Sequence, residues 1–200
     1  IIIPQSLTEL TGPIFGQDAV GKLDHDLTKN AVESGEPHGE RIIVTGTVRD
    51  EDSNPIPDIL LEVWQPNAAG RYDHADDQHD APLDPNFLGA GRCVTDQEGR
   101  YRFITIKPGA YPWGNHYNAW RPSHIHFSLF GPSILTRLVT QMYFPGDPLL
   151  ELDPIFKAVP AAARNLLVAN LSIEISEPEW ALGYEFNIRL RGRNATPMES

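Results

Sequence analysis

Cysteine is nearly missing from this chain: Cys93 is the only one in 200 residues. One thiol can build neither an intrachain disulfide nor a multi-thiolate zinc site, and it fits a reducing, cytoplasmic setting. Positive charge is also short. Sixteen Lys plus Arg stand against 27 Asp plus Glu, a formal charge of -11, which disfavours nucleic acid or an anionic membrane as a partner. A small substrate is not excluded, because a pocket can be locally basic. No apolar run is long enough for a membrane anchor, and the opening Ile1-Ile2-Ile3-Pro4 has no basic n-region before it. No internal repeat is apparent.

Apolar residues make up 40% of the chain, enough for one sizeable core, so the expectation is a single domain over residues 1–200. Its 18 prolines and 16 glycines are spread rather than clustered, which points to turns between short strands. Residues 1–40 lack a clean period and read as a strap, with Leu7, Leu10, Ile14 and Phe15 as apolar anchors and Asp24-His25-Asp26 as solvated surface. Residues 41–200 read as the core of the domain.

Within that core, Arg41 to Val48 is rich in β-branched residues and ends at Asp50-Glu51-Asp52-Ser53-Asn54-Pro55, a strand followed by a turn. Ile59 to Gln65 is a second strand. Pro66 to Ala90 reads as a long polar loop, far beyond the usual length of such connections. Gly91 to Thr95 and Arg100 to Ile106, around Asp96-Gln97-Glu98-Gly99, read as a hairpin with Tyr101 and Phe103 on one face. A second long loop, Lys107 to Ser123, leads into His124, and Ile134 to Phe144 reads as a further strand. Pro160 to Asn170 is the best helix candidate. Leu171 to Ile175 and the alternating Tyr184, Phe186, Ile188 and Leu190 complete the pattern. The expected fold is mainly β, an antiparallel β-sandwich with long loops at the metal end and one or a few short helices.

The metal is suggested by Arg121-Pro122-Ser123-His124-Ile125-His126-Phe127-Ser128. Strand side chains alternate between faces, so His124 and His126 share one face while Ile125 and Phe127 pack on the other. Paired imidazoles suit a metal, although a pair of histidines hydrogen-bonded inside a sandwich is the alternative. Tyr72 and Tyr111 sit in the two long loops, and either could approach the histidines. Two imidazoles with two phenolates suit hard ferric iron better than zinc, and only a strongly Lewis-acidic ion keeps phenols, with an ordinary pKa of about 10, deprotonated near neutrality. The acidic run from Asp73 to Asp80, with His74 and His79, matches no standard site and reads as a hydrated loop.

Several blocks together resemble the intradiol ring-cleaving dioxygenases, and their iron-bearing subunits in particular. They are Glu62-Val63-Trp64-Gln65 with Gly70-Arg71-Tyr72, Pro82-Leu83-Asp84-Pro85-Asn86-Phe87, Ile106-Lys107-Pro108-Gly109 with Tyr111-Pro112-Trp113, and Trp120 through Phe127. The resemblance runs from about Pro4 to the C-terminus. It implies one Fe(III) per site bound by Tyr72, Tyr111, His124 and His126 with a solvent hydroxide. It also implies O2-dependent cleavage of a catechol, protocatechuate (3,4-dihydroxybenzoate) first among them, to a cis,cis-muconate. Tyr111 would be the phenolate that leaves the metal and acts as a base, and Arg121 the cation beside the substrate. Trp64, Trp113, Gln141 and Ile155 would line the pocket. No nicotinamide, flavin or haem is implied.

The implied partner is a homologous alpha subunit in repeated αβ pairs, with a homo-oligomer as the alternative. In that family a further N-terminal segment precedes the region matching Pro4-Gln5-Ser6, and it takes part in recognising the ring substituent. The rival readings are a catechol or hydroxyquinol dioxygenase, and a metal-free sandwich that binds a small ligand or another subunit.

Overall fold

The computed structural model describes residues 20–31, 35–113, 119–131 and 137–199. The expected anchors Leu7, Leu10, Ile14 and Phe15, and the start of the strand expected from Ile134, lie outside the described residues.

Two sheets face each other. In the first, β1 (Arg41–Arg49) pairs antiparallel with β4 (Arg100–Ile106) on one side. On the other, β10 (Ala181–Glu185) and β11 (Ile188–Arg189) add in succession, both parallel to β1. The break between them is filled by Asn187, whose side-chain oxygen accepts from the Thr47 N–H and hydroxyl, each at 2.9 Å. β9 (Asn170–Glu177) closes this sheet against β10. The sandwich is thus antiparallel except along β1. The second sheet is antiparallel throughout, in the order β3 (Ala90–Val94), β2 (Leu60–Trp64), β7 (His124–Phe130), β8 (Leu138–Tyr143).

The core is built by period-two alternation. Ile42, Val44 and Val48 of β1 and Tyr101 and Phe103 of β4 meet Leu61, Val63, Ile125, Phe127 and Met142 of the second sheet, all of them buried. Phe127 lies at its centre, 5.8 Å from Phe103 and 5.2 Å from Phe186 between ring centroids. The Tyr101 hydroxyl donates to Phe186 O at 2.5 Å and the Thr105 hydroxyl donates to Gln65 Oε1 at 2.8 Å, so both polar side chains that β4 buries on this face are satisfied.

The expected hairpin of Gly91–Thr95 with Arg100–Ile106 is not one. Its turn forms, with Gly99 N donating to Asp96 O at 2.9 Å, but β3 pairs with β2 and β4 pairs with β1. The chain changes sheets at the turn. Thr95 explains the split: its hydroxyl accepts from Ile59 N and donates to Ile56 O, tying the end of β3 to the entry of β2. Gly99 O instead accepts from Val48 N of β1.

Two further expectations are corrected. The helix expected over Pro160 to Asn170 is shorter, a 3-10 helix at Ala161–Leu167, and Asn170 already belongs to β9. Among the described residues an α-helix, α1, lies earlier, at Pro154–Ala158, capped by Asp153, whose carboxylate accepts from Ile155 N. Asp153-Pro154 is itself an N-cap followed by proline at the first helical position, a start signal stronger than alanine content. Asp26 is buried rather than solvated, and its carboxylate accepts from the Thr28 N–H and hydroxyl. Asp26 belongs to a stitch along one edge of the sandwich: Arg92 N of β3 donates to Asp24 O, and Leu27 N donates to Ile104 O of β4.

Candidate metal centre

The outward face of the second sheet carries the site. Register sets Trp64, His126 and Gln141 side by side across β2, β7 and β8, with His124 beside Tyr143 in the next row. Ile125 and Phe127 go to the core, as the alternation requires. His124 and His126 are both buried, and the ring of Trp64 stacks on His126 at 4.8 Å and 5°.

Two loops bring the phenols to this face. Tyr111 lies on a two-stranded ribbon, β5 (Tyr111–Pro112) paired with β6 (Trp120–Arg121), in which Tyr111 is opposite Arg121. Tyr72 follows a tight turn organised by Asn67, whose side-chain oxygen accepts from Ala69 N and Arg71 N and whose main-chain oxygen accepts from Gly109 N. Gly70 is required there. Its φ is +80°, and a Cβ would stand 2.1 Å from Ala110 O, so only glycine lets the first loop close on the second. The rings of Tyr72 and Tyr111 then meet edge to face at 5.3 Å.

The structure thus brings the rings of Tyr72, Tyr111, His124 and His126 near one another on this face. His124 Nδ1 lies 2.7 Å from Pro122 O and His126 Nδ1 lies 3.3 Å from Glu199 Oε2. With Nδ1 as the donor in each bond, the two Nε2 atoms face each other across 3.3 Å. Two acceptors so placed call for a shared cation, and among the described residues Arg121 Nη1, 3.1 Å from His124 Nε2, supplies one on that side. Burial, reinforced by the charges of Arg121 and His126, holds His124 well below the ordinary imidazole range, so it is neutral. The Tyr111 hydroxyl is 3.3 Å from His124 Nε2. The Tyr72 hydroxyl is buried without a hydrogen-bond partner, and burial, then the neighbouring Tyr111, push its pKa above the ordinary phenol range. An orphaned phenol beside converging imidazole lone pairs fits a Lewis-acidic metal ion.

Arg121 is the second organising residue. It is buried, and its Nη2 donates to Gln141 Oε1 at 2.7 Å, Tyr143 Oη at 3.0 Å and Asp153 Oδ2 at 2.9 Å, while Nη1 donates to Tyr111 Oη at 3.3 Å. Burial alone would lower its pKa, but the bond to Asp153 and the surrounding oxygens of Tyr111 and Tyr143 outweigh that and leave it raised. Gln141 Nε2 and Arg121 Nε are, like Tyr72 Oη, buried without partners. Unsatisfied donors gathered at one site are what a ligand-binding face leaves open.

Ile155, on α1, joins Gln141, Tyr143 and Glu199 around a cleft beside the histidines. Trp113 is half-buried at the end of the ribbon, where its backbone N–H donates to Ala119 O, and the ring contacts of the cluster do not include it among the described residues. Glu199, Asp153 and Tyr143 went unnoticed in the sequence. The Asp–Pro cap could have drawn attention to Asp153, while Glu199 carries no local signal. In the acidic loop, no group of three or more His, Cys, Asp or Glu gathers at ligating spacing among the described residues.

A β-sandwich with two imidazoles and two phenols on one outer face is the class of protein that fold and site define. The family model Dioxygenase_C, described as Dioxygenase, matches residues 10–192. The chain is 66% identical over 199 residues to the protocatechuate 3,4-dioxygenase beta chain of Burkholderia cepacia, across 100% of this chain and 85% of that one. It is 31% identical over 165 residues to the protocatechuate 3,4-dioxygenase alpha chain of the same organism, covering 80% and 78%. Among solved structures, 3-chlorocatechol 1,2-dioxygenase of Rhodococcus opacus 1CP superposes with a TM-score of 0.62 at 26% identity, over 89% of this chain and 69% of that one. The chain belongs to the intradiol ring-cleavage dioxygenase family.

Proposed function

We propose that this enzyme cleaves protocatechuate with O2 between its two hydroxylated carbons to 3-carboxy-cis,cis-muconate, using one Fe(III) held by Tyr72, Tyr111, His124 and His126. The observation that carries the metal assignment is the pair of Nε2 atoms 3.3 Å apart with Tyr111 Oη against one of them. The identity with the beta chain from Burkholderia cepacia supports the substrate.

Bound Fe(III) would supply Lewis acidity, favouring the doubly deprotonated catechol and drawing charge from its ring toward O2. The chain supplies the rest. The Tyr111 oxygen, next to Arg121 Nη1, is the base that takes a catechol proton. Tyr72, held by the Asn67 turn, would give the metal a second oxygen ligand, as a phenolate only when the metal is bound. The guanidinium of Arg121 is locked on its Nη2 side by Asp153 and Gln141, so it meets negative charge on the ring without reorganising. Gln141 Nε2 is free to donate to the substrate, and Trp64 and Ile155 are apolar walls, with Trp113 as a more distant one.

The alpha-chain relative supports an αβ assembly, in which a homologous subunit completes recognition of the ring substituent. The buried, unpaired Cys93 suits a reducing cytoplasm, and no described helix is long and apolar enough to cross a membrane.

Colour and oxygen uptake test the reading. Purified protein should carry iron and a red-brown phenolate-to-Fe(III) band, and it should consume O2 fastest with protocatechuate among para-substituted catechols. A folded, colourless, iron-free protein after reconstitution with ferric salt would reject the metal centre, and a preference for hydroxyquinol or unsubstituted catechol would reject the substrate alone.

A further inference from the structure

We propose that Glu199 is a positioning residue for the metal centre: its carboxylate holds the Nδ1–H of His126, so that Nε2 faces the metal as a strengthened donor. This rests on the metal reading above and goes beyond it to a residue outside the ligand set.

The two imidazoles are held differently. His124 Nδ1 meets the carbonyl of Pro122 two residues earlier, a neutral acceptor fixed by the local backbone. His126 Nδ1 meets a carboxylate from 73 residues away. The chain works to place that carboxylate. Thr196 N donates to Arg189 O, the Thr140 hydroxyl donates to Pro197 O at 2.7 Å, and Glu199 N donates to Val139 O at 2.8 Å. The segment is therefore pinned along the free edge of β8, on the two residues that precede Gln141.

Stacking by Trp64 fixes the plane of the His126 ring, but a stacked ring can still be turned over within that plane. Only a directed bond selects which edge faces His124 and Tyr111, and Glu199 makes that bond. A carboxylate acceptor also enriches the ring more than a carbonyl does, so His126 becomes the stronger donor of the pair. Partners of this kind typically change metal affinity by about 10- to 100-fold when removed.

The test compares iron-loaded wild type with Glu199→Gln and Glu199→Ala. Fe(III) retention is measured against increasing EDTA, the energy of the visible band is recorded, and thermal midpoints are followed in parallel. Glu199→Ala should hold iron about 10- to 100-fold more weakly with a shifted band. Glu199→Gln, which keeps an acceptor of the same shape without the charge, should fall between. Equal iron affinity and an unmoved band in both variants, whatever happens to the midpoints, would reduce Glu199 to an edge tether and overturn the proposal. Wild type that takes up no Fe(III) would overturn it together with the metal reading, which separates the two failures. The Gln variant preserves volume, so it remains decisive if the Ala variant does not fold.

Discussion

Tyr111 and Arg121 are register partners on a ribbon of two residues per strand, and Arg121 Nη1 reaches the Tyr111 hydroxyl at 3.3 Å while Asp153 grips Nη2 at 2.9 Å. One backbone pairing therefore sets the base and the cation of the proposed site against each other. Arg121 is 3% exposed and Asp153 0%, so this is no surface ion pair. Arg121→Gln should cost about 3–5 kcal/mol by leaving the Asp153 carboxylate buried and unpaired. Arg121→Leu combined with Asp153→Leu should regain much of that. Urea unfolding checks both, and a loss below about 1 kcal/mol for the single variant, the size expected of exposed pairs, would contradict the buried network.

The Tyr72 hydroxyl is buried without a hydrogen-bond partner, so iron-loaded and iron-free protein should respond oppositely to its removal. Iron-free Tyr72→Phe should be as stable as wild type or gain about 1 kcal/mol, because an unsatisfied buried group is deleted. The iron-loaded variant should lose metal and most of its visible band. Tyr111→Phe should instead weaken the band and slow turnover. His74→Phe and His79→Phe should leave the colour intact, since His74 is exposed and His79 packs edge-on against Trp120 at 5.7 Å. Loss of iron on changing His79 would revive a site in the acidic loop.

What could be read ahead of the structure was whatever a local period encodes. β1 is a β-branched run, Tyr184, Phe186, Ile188 and Leu190 alternate with polar residues, and His124-Ile125-His126 declares its two faces within three residues. Strand partners are another matter: the turn at Asp96–Gly99 is the same whether its arms pair together or join opposite sheets, and the choice rests on Thr95 reaching Ile56 and Ile59. The phenols became legible only through the blocks around them, because a lone tyrosine in a loop says nothing of where it points. Asp153 and Glu199 lie 32 and 73 residues from their partners and are of common type, so nothing short of the fold reveals them.

Gly70 gives a test of how the loops place Tyr72. An alanine there meets a left-handed backbone, worth about 1–2 kcal/mol by itself, and sets its Cβ 2.1 Å from Ala110 O. The loops must separate to admit it. Gly70→Ala should therefore weaken iron binding and the visible band far more than it lowers overall stability, because Tyr72 moves off while the sandwich core is untouched. Parallel iron titration and thermal melts decide this, and a variant with wild-type colour would show that Tyr72 is held by something other than this contact.

Alkaline pH reaches the core through Cys93. Burial pushes its thiol up to about 12, against an ordinary value of about 8.5. Between those values the folded state keeps a proton that the unfolded chain releases, so the slope of stability with pH is negative there. The contribution is whole below about pH 8.5 and is lost progressively toward pH 12, at up to about 1.4 kcal/mol per pH unit. Tyr101, fully buried with its pKa well above the ordinary phenol range, adds to the same decline. Denaturant unfolding of wild type and Cys93→Ala from pH 7 to 11 should give parallel stabilities up to about 8.5, then a shallower fall in the variant because its core holds no thiol to ionise. The same burial should leave Cys93 unreactive toward iodoacetamide in the folded protein. Identical pH slopes in the two proteins would mean that the thiolate is accommodated where it stands, and that alkaline loss comes from the tyrosines alone.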